Sequence, residues 1–120
     1  MPSHNGDLKH NLSRVSEITI TVIGRKSGRP ISIPVWFAFE GGELYLLPVQ
    51  GSDTQWYKNV LKNPSIRIKA GKPDADVKAV PLTDPAQVKS VMEKFRAKYG
   101  EGDFKKYYSK FDVAVEAEIK

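Results

Sequence analysis

The densest group of side chains that could do chemistry is the seven-residue turn GRKSGRP, from Gly24 to Pro30. Arg25, Lys26 and Arg29 bring three cations into five residues, and arginine forks bind phosphate oxygens in pairs. The two glycines can adopt positive φ, so backbone N–H groups can converge on an anion. The residues therefore predict an anion site, or else a charged hairpin turn that only keeps a sheet edge in solution.

A second candidate is the segment GSDTQWYKN, from Gly51 to Asn59. A helix beginning after Ser52 would present free N–H groups to an anion. Trp56 would supply an aromatic surface one turn later, or simply be part of the core. Asn59 would contact a ligand through its amide, or bond only to backbone.

A third segment interleaves Phe104, Tyr107 and Tyr108 with Lys105 and Lys106. Aromatic side chains between lysines can stack on the bases of single-stranded nucleic acid. The same pattern is typical of an amphipathic helix whose aromatic face covers a core. Both interpretations stay open from these residues alone.

Several classes of chemistry are disfavoured by what the chain lacks. It has no cysteine, and its two histidines, His4 and His10, lie in a polar N-terminal stretch, which argues against a zinc site and a triad. No two acids suggest an acid–base pair, so if the protein is an enzyme, a cofactor would carry the chemistry and the protein would bind and orient it. The net charge of +5 allows an anionic partner. With no long apolar run or signal peptide, we expect a cytoplasmic protein without stable membrane insertion.

The elements that would position these groups follow from hydrophobic periodicity. We expect a flexible N-terminal arm over residues 1–13 and a single domain over residues 14–120. The first three strands would form a meander, with a Gly-Gly hairpin between the second and the third, and Pro34 would place its strand at an edge or a bulge. Predicted strands cover 18–23, 31–39, 44–47, 65–70, 77–82 and 113–119; helices follow Ser52 or Asp53, Thr83 and residue 102.

This order, βββ-α-ββ-α(α)-β, contains few strand–helix–strand units, so the sheet should be mostly antiparallel. A small closed or split β-barrel with helices at its ends would cover the strand edges. The predicted fold class is mainly β with α: about six strands and two to three helices.

Two motifs in this order carry a resemblance to a known family. The stretch TVIGRKSGRPISIP over residues 21–34 and the stretch WYKNVLKNP over residues 56–64 resemble the deazaflavin (F420)-dependent nitroreductase and quinone reductase family. The resemblance covers roughly residues 16–119. It implies the split β-barrel that this family shares with flavin-binding oxidases of the pyridoxamine-phosphate type.

The resemblance implies an oxidoreductase that passes a hydride from reduced coenzyme F420 to a small organic acceptor: a quinone, a nitro compound or an activated alkene. It requires no catalytic side chain and no metal. It also suggests a homodimer, with the strand of Trp36 as a candidate contact. The implied cofactor-binding residues are Arg25, Lys26, Ser27, Gly28, Arg29, Ile33, Pro34, Pro48, Gly51, Ser52, Trp56 and Asn59, and the implied substrate residues are Phe104, Tyr107 and Tyr108.

Two alternatives accompany this interpretation. Many family members carry a Ser-Lys-Gly-Gly segment before the tryptophan, whereas residues 48–54 here lack that lysine and include Asp53. FMN could therefore replace F420 on the same fold. A non-enzymatic module that binds anions or nucleic acid is the other alternative, suggested by the lysine-rich second half, although we expect no nucleic-acid partner because its charges alternate with acids.

Overall fold

The computed structural model describes the backbone of residues 4–119 and the side chains of residues 8–119. In this part of the chain the elements run in the order α1 (His4–Leu12), β1 (Ile18–Ile23), β2 (Pro30–Val35), β3 (Ala38–Glu40), β4 (Glu43–Leu46), α2 (Gln55–Lys62), β5 (Ser65–Lys69), β6 (Asp74–Lys78), β7 (Val80–Leu82), α3 (Pro85–Tyr99), α4 (Glu101–Tyr107) and β8 (Ala114–Glu118).

The strands build two four-stranded sheets, in the orders β2-β1-β5-β6 and β3-β4-β8-β7. Every pair of neighbouring strands within them is antiparallel. Strands β1 and β5 alternate buried residues with more exposed ones, so their apolar faces turn toward a shared core, whereas β8 buries both Ala114 and Val115. The predicted class, mainly β and mostly antiparallel with helices, is confirmed.

The chain crosses between the sheets at two short breaks that periodicity did not reveal. We expected one strand over 31–39, but Trp36 and Phe37 separate β2 from β3. The predicted strand over 77–82 is likewise divided at Ala79, whose N–H donates to Pro64 O at 2.8 Å. The described chain therefore holds eight strands instead of six, and its first 48 residues do not form a three-stranded meander.

Strand β2 is an edge strand, because it pairs only with β1 in the register Ile18↔Val35 to Ile23↔Pro30. Pro34 lies within it, where a missing N–H donor costs no ladder bond on the open side. The edge position predicted from this proline is confirmed. An open edge also leaves the outer side of β2 free to border a cavity.

The N-terminal stretch differs from the flexible arm we expected over 1–13. From His4 onward it forms α1, which packs against β6. Leu8 and Leu12 are buried in the core between the sheets, and Asn11 Nδ2 donates to Ala70 O at 2.7 Å. Two leucines four residues apart form one apolar face, which stabilises the helix only through tertiary contact. Residues 1–3 lie outside the described residues.

Helices α3 and α4 cover a second core on the other face of the β3-β4-β8-β7 sheet, where Ala38, Tyr45, Leu82 and Ala114 lie. Asp84, rather than Thr83, caps α3, since its carboxylate accepts a hydrogen bond from Gln87 N at 3.2 Å. Gly100, with φ of +88°, ends α3 and lets α4 begin at once. In the described part of the chain, no helix has the length and apolar character needed to cross a membrane.

Candidate functional site

A cavity of about 470 Å³ lies between the edge strand β2, the start of α2 and the end of α4. We call it the aromatic cavity. Its volume falls within the range of small-molecule sites, roughly 300–1,000 Å³. The lining residues are Glu17, Ile33, Pro34, Val35, Trp36, Leu47, Val49, Thr54, Trp56, Tyr107 and Tyr108.

The wall around Trp36 is built by stacked rings. The Trp36 ring lies 4.1 Å from that of Tyr99 at an interplanar angle of 10°, and Tyr107 meets it edge-on at 5.3 Å. Tyr108, whose ring lies 6.0 Å from that of Trp36, is buried, and burial raises the pKa of its hydroxyl well above the usual range. Flat aromatic walls of this kind favour a planar ring as occupant.

The Tyr99 hydroxyl binds backbone groups next to this wall, at the point where the chain passes from one sheet to the other. It accepts a hydrogen bond from Phe37 N at 3.0 Å, and it lies 2.7 Å from Ser16 O, to which it can donate. Lys98 Nζ donates to Phe37 O at 3.0 Å. Two side chains of α3 therefore form hydrogen bonds with the N–H and C=O groups of Phe37, which lies between the strands and has no partner among the described residues of either sheet.

The basic turn, Gly24 to Pro30, is closed by its own backbone. Gly24 N donates to Arg29 O and Gly28 N donates to Gly24 O, both at 2.8 Å, with Gly28 at φ +71°. Arg29 N donates to Ser27 Oγ at 3.2 Å. The N–H groups of Lys26 and Ser27 make no hydrogen bond to a described residue. Two amides and the exposed side chains of Lys26 and Arg29 thus remain for an anion.

Arg25 is already engaged. Its backbone N and its Nη1 both donate to Asn59 Oδ1, at 3.1 and 2.8 Å, and its Nη2 donates to Gln55 Oε1 at 2.8 Å. Asn59 is only 5% exposed. The amide oxygen of Asn59 therefore ties the basic turn to α2, while its side chain also borders the hollow at the turn.

Two separate hollows lie along β2 and α2, one at the basic turn and the other the aromatic cavity, and we call the surface that carries both of them the groove. Ile31 and Asn59 border a hollow of about 260 Å³ at the turn, whereas Ile33 and Trp56 border the aromatic cavity. Ile31 and Ile33 are two residues apart on β2, so they share a face and their Cα atoms lie roughly 7 Å apart. One side of β2 and one helix therefore line both the apolar and the cationic end.

The predicted site residues separate into two groups. Ile33, Pro34, Trp56, Tyr107 and Tyr108 line the aromatic cavity, and Trp56 is at once a core residue, 7% exposed. The two hollows at the basic turn are lined by several of the others: Arg25, Lys26, Ser27, Gly28 and Asn59. Arg29 is exposed in the same turn but lines neither hollow.

The remaining predicted residues lie elsewhere. Phe104 is fully buried in the second core, stacked on Tyr108 at 5.2 Å, so it borders neither the cavity nor a surface for stacking bases. Pro48 is buried and does not line the aromatic cavity. Gly51 and Ser52 contact Asp112 instead, whose carboxylate accepts from Ser52 N at 2.9 Å.

Several lining residues were not predicted as ligand contacts, and three of them, Glu17, Trp36 and Gln55, carry a carboxylate, an aromatic ring and an amide. Glu17 and Trp36 line the cavity, and Gln55 lines the hollow at the turn. Trp36 was predicted only as a dimer contact. In a continuous strand over residues 31–39, Trp36 would lie on the opposite face from Phe37. A proline two residues before it was the one local sign that the strand could end there.

Comparison with known proteins gives the same picture. An F420-H2 dependent reductase, FDR-A, is 20% identical, with 86% of this chain and 94% of that chain covered and a TM-score of 0.67. A structure described as a domain-swapped dimer is 20% identical (86% and 80% covered, TM-score 0.68). A Listeria innocua protein described as a pyridoxamine 5′-phosphate oxidase is 15% identical (96% and 92% covered, TM-score 0.70). These similarities confirm the split β-barrel.

The sequence profile of one family, described as F420H(2)-dependent quinone reductase, matches residues 1–118. The match includes α1, both sheets, the basic turn and the aromatic cavity. It supports coenzyme F420 as the cofactor and confirms the resemblance seen in the two sequence motifs. Since the profile spans nearly the whole chain, the protein belongs to the F420H(2)-dependent quinone reductase family.

Proposed function

We propose that the protein transfers a hydride from reduced F420 to a small quinone that enters the aromatic cavity. The observation that carries this proposal is the groove along β2, which is apolar and aromatic at one end and cationic at the other. Such a groove suits a ligand with a flat ring and an anionic tail.

The residues at the basic turn suit the anionic part of the coenzyme. The N–H groups of Lys26 and Ser27, which have no acceptor among the described residues, can donate to a phosphate, and Lys26 and Arg29 add exposed cations in the same turn. Arg25 acts as a positioning residue, because its bonds to α2 hold the turn against the groove. The ring would then lie beside Ile33 and Pro34.

The aromatic cavity supplies the other half of the reaction geometry. When bound, the reduced coenzyme supplies the hydride. The protein holds the acceptor ring against Trp36 and Tyr107, which fixes its orientation and keeps water out of the site. The Tyr108 hydroxyl makes no hydrogen bond to a described residue, and its raised pKa keeps it protonated, so it can donate to an acceptor oxygen.

Binding is tested by titrating the protein with F420 while following tryptophan fluorescence. The only two tryptophans, Trp36 and Trp56, both line the cavity, so a ligand there should quench the emission. Arg29→Ala should weaken binding at least about tenfold, since a hydrogen bond to a charged group contributes about 1.5–3 kcal/mol. Lys72→Ala, at an exposed turn away from the groove, is the matched control.

The outcomes separate the candidates. Absence of quenching at tens of micromolar F420 would contradict the proposal, and tighter binding of FMN in a parallel titration would favour the flavin alternative. Turnover is measured as oxidation of reduced F420 by a neutral naphthoquinone. Nitro compounds and activated alkenes, tested beside it, establish which acceptor class reacts fastest.

We also propose that the protein is a homodimer, supported by a similar structure that is described as a domain-swapped dimer. Light scattering on the purified chain tests this: a mass near twice 13.4 kDa is expected, and a mass of one chain would refute it. The cytoplasmic location stays a prediction.

A further inference from the structure

The aromatic cavity has one ionised side chain at its rim. Among its lining residues only Glu17 carries a charge at neutral pH, the rest being aliphatic, aromatic or threonine. Glu17 is exposed, and within the described residues no cation lies at ion-pair distance from it. Its charge is therefore uncompensated by a local partner.

Glu17 and the basic turn lie at opposite ends of the β1–β2 hairpin. Glu17 precedes Ile18, which pairs with Val35, whereas the basic turn follows Ile23, which pairs with Pro30. Six strand residues at about 3.3 Å each separate the two ends by roughly 20 Å. The groove therefore runs from a positive end to a negative end.

The field of Glu17 reaches the wall of the cavity. Burial first, and the Glu17 charge to a smaller extent, raise the pKa of Tyr99 to about 12. The Tyr99 ring stacks directly under Trp36. Aromatic walls exclude water, so a charge at the rim acts on a bound ring with less screening than at an open surface.

We propose that Glu17 is a specificity-determining residue that selects neutral or cationic acceptors and disfavours anionic ones. This inference rests on the proposed function, because it concerns the acceptor at the same cavity. A carboxylate or sulfonate on the acceptor would meet the like charge of Glu17. An anionic coenzyme tail, which binds at the other end, would not.

The test compares a neutral naphthoquinone with its ring-sulfonated analogue in turnover with reduced F420. The readout is the ratio of kcat/KM for the anionic quinone to that for the neutral quinone. Glu17→Gln should raise this ratio about three- to fivefold, as expected for removing one like charge several ångströms away. Glu17→Lys should raise it further, and added salt should shrink both effects.

The matched control is Glu93→Gln, an exposed carboxylate on α3 outside the aromatic cavity. It carries the same change of charge and should leave the ratio unchanged. An unchanged ratio in Glu17→Gln, or an equal rise in Glu93→Gln, would overturn the inference.

A binding measurement keeps this outcome separate from that of the proposed function. Quenching of Trp36 and Trp56 reports each quinone without hydride transfer. Tighter binding of the sulfonated quinone to Glu17→Gln than to the unmodified protein would support the inference even without turnover. Equal binding to both proteins would refute it even if neutral quinones were reduced.

Discussion

Removing the Tyr99 hydroxyl should destabilise the protein, because that oxygen accepts a backbone hydrogen bond where the chain passes from one sheet to the other. In Tyr99→Phe the ring remains stacked on Trp36, but Phe37 N loses its only acceptor among the described residues. Phe37 is fully buried, so its N–H has no access to water. An unsatisfied buried donor costs about 1–3 kcal/mol.

For a 120-residue chain each kcal/mol lowers Tm by roughly 4 °C, so the expected loss is about 4–12 °C. Thermal denaturation followed by circular dichroism measures it. Tyr99→Leu should lose about 0.5–1.5 kcal/mol more, since it also removes the stacked pair with Trp36. It should also weaken ligand binding in the aromatic cavity, because the Trp36 wall loses its support.

Tyr107→Phe is the matched control, because its ring is half exposed and its hydroxyl makes no hydrogen bond to a described residue. Its Tm should stay close to that of the unmodified protein. A Tm for Tyr99→Phe within a degree of the control would refute the reasoning. It would mean that Phe37 N finds another acceptor or that the crossing between the sheets relaxes without cost.

Three further predictions concern the segments around this site. Gly51→Ala should destabilise by at least about 1–2 kcal/mol in urea denaturation, because Gly51 has a φ of +55° and a new methyl group would overlap the Asp112 carboxylate; Gly102→Ala, with open space around it, should not destabilise. The hydrogen bond from the Ser52 hydroxyl lowers the pKa of Asp112 in the folded protein. The ionised Asp112 therefore stabilises the fold above the unfolded pKa of about 3.9, and this stabilisation is lost as the pH falls through the lower folded pKa. Urea midpoints between pH 6 and pH 3 should fall less steeply for Asp112→Asn, and an equal slope would contradict this. Asn59→Ala should cost about 1–3 kcal/mol of stability and raise the Kd for F420, since it releases the basic turn from α2; an unchanged Kd would show that the turn keeps its position without this bond.

Local periodicity was a good guide wherever an element is defined by its own residues. The alternation in β1 and β8 matches the observed strands to within a residue or so, and the Gly-Gly hairpin connects β3 to β4. Pro34 correctly indicated an edge strand. These patterns are short-range, because burial alternates along any strand that has one apolar face.

Contacts between distant residues account for the differences. In the sequence, Leu8 and Leu12 are isolated leucines in a polar stretch, which indicates no helix. In the structure, both side chains are buried in the core that the sheets form. The breaks at Phe37 and Ala79 depend on partners far along the chain, Tyr99 and Pro64. A window of neighbouring residues cannot contain such partners.

For this protein, the sequence alone determined the antiparallel fold class, the cationic turn and the family, because these depend on residue types at short spacing. Only the tertiary structure decided how the charges are used. It engages Arg25 with Asn59, 34 residues away, leaves Lys26 and Arg29 exposed, and buries Phe104. It also sets Glu17 at the far end of the groove from the basic turn. Which charges are neutralised and which face a ligand depends on long-range packing, which no local pattern encodes.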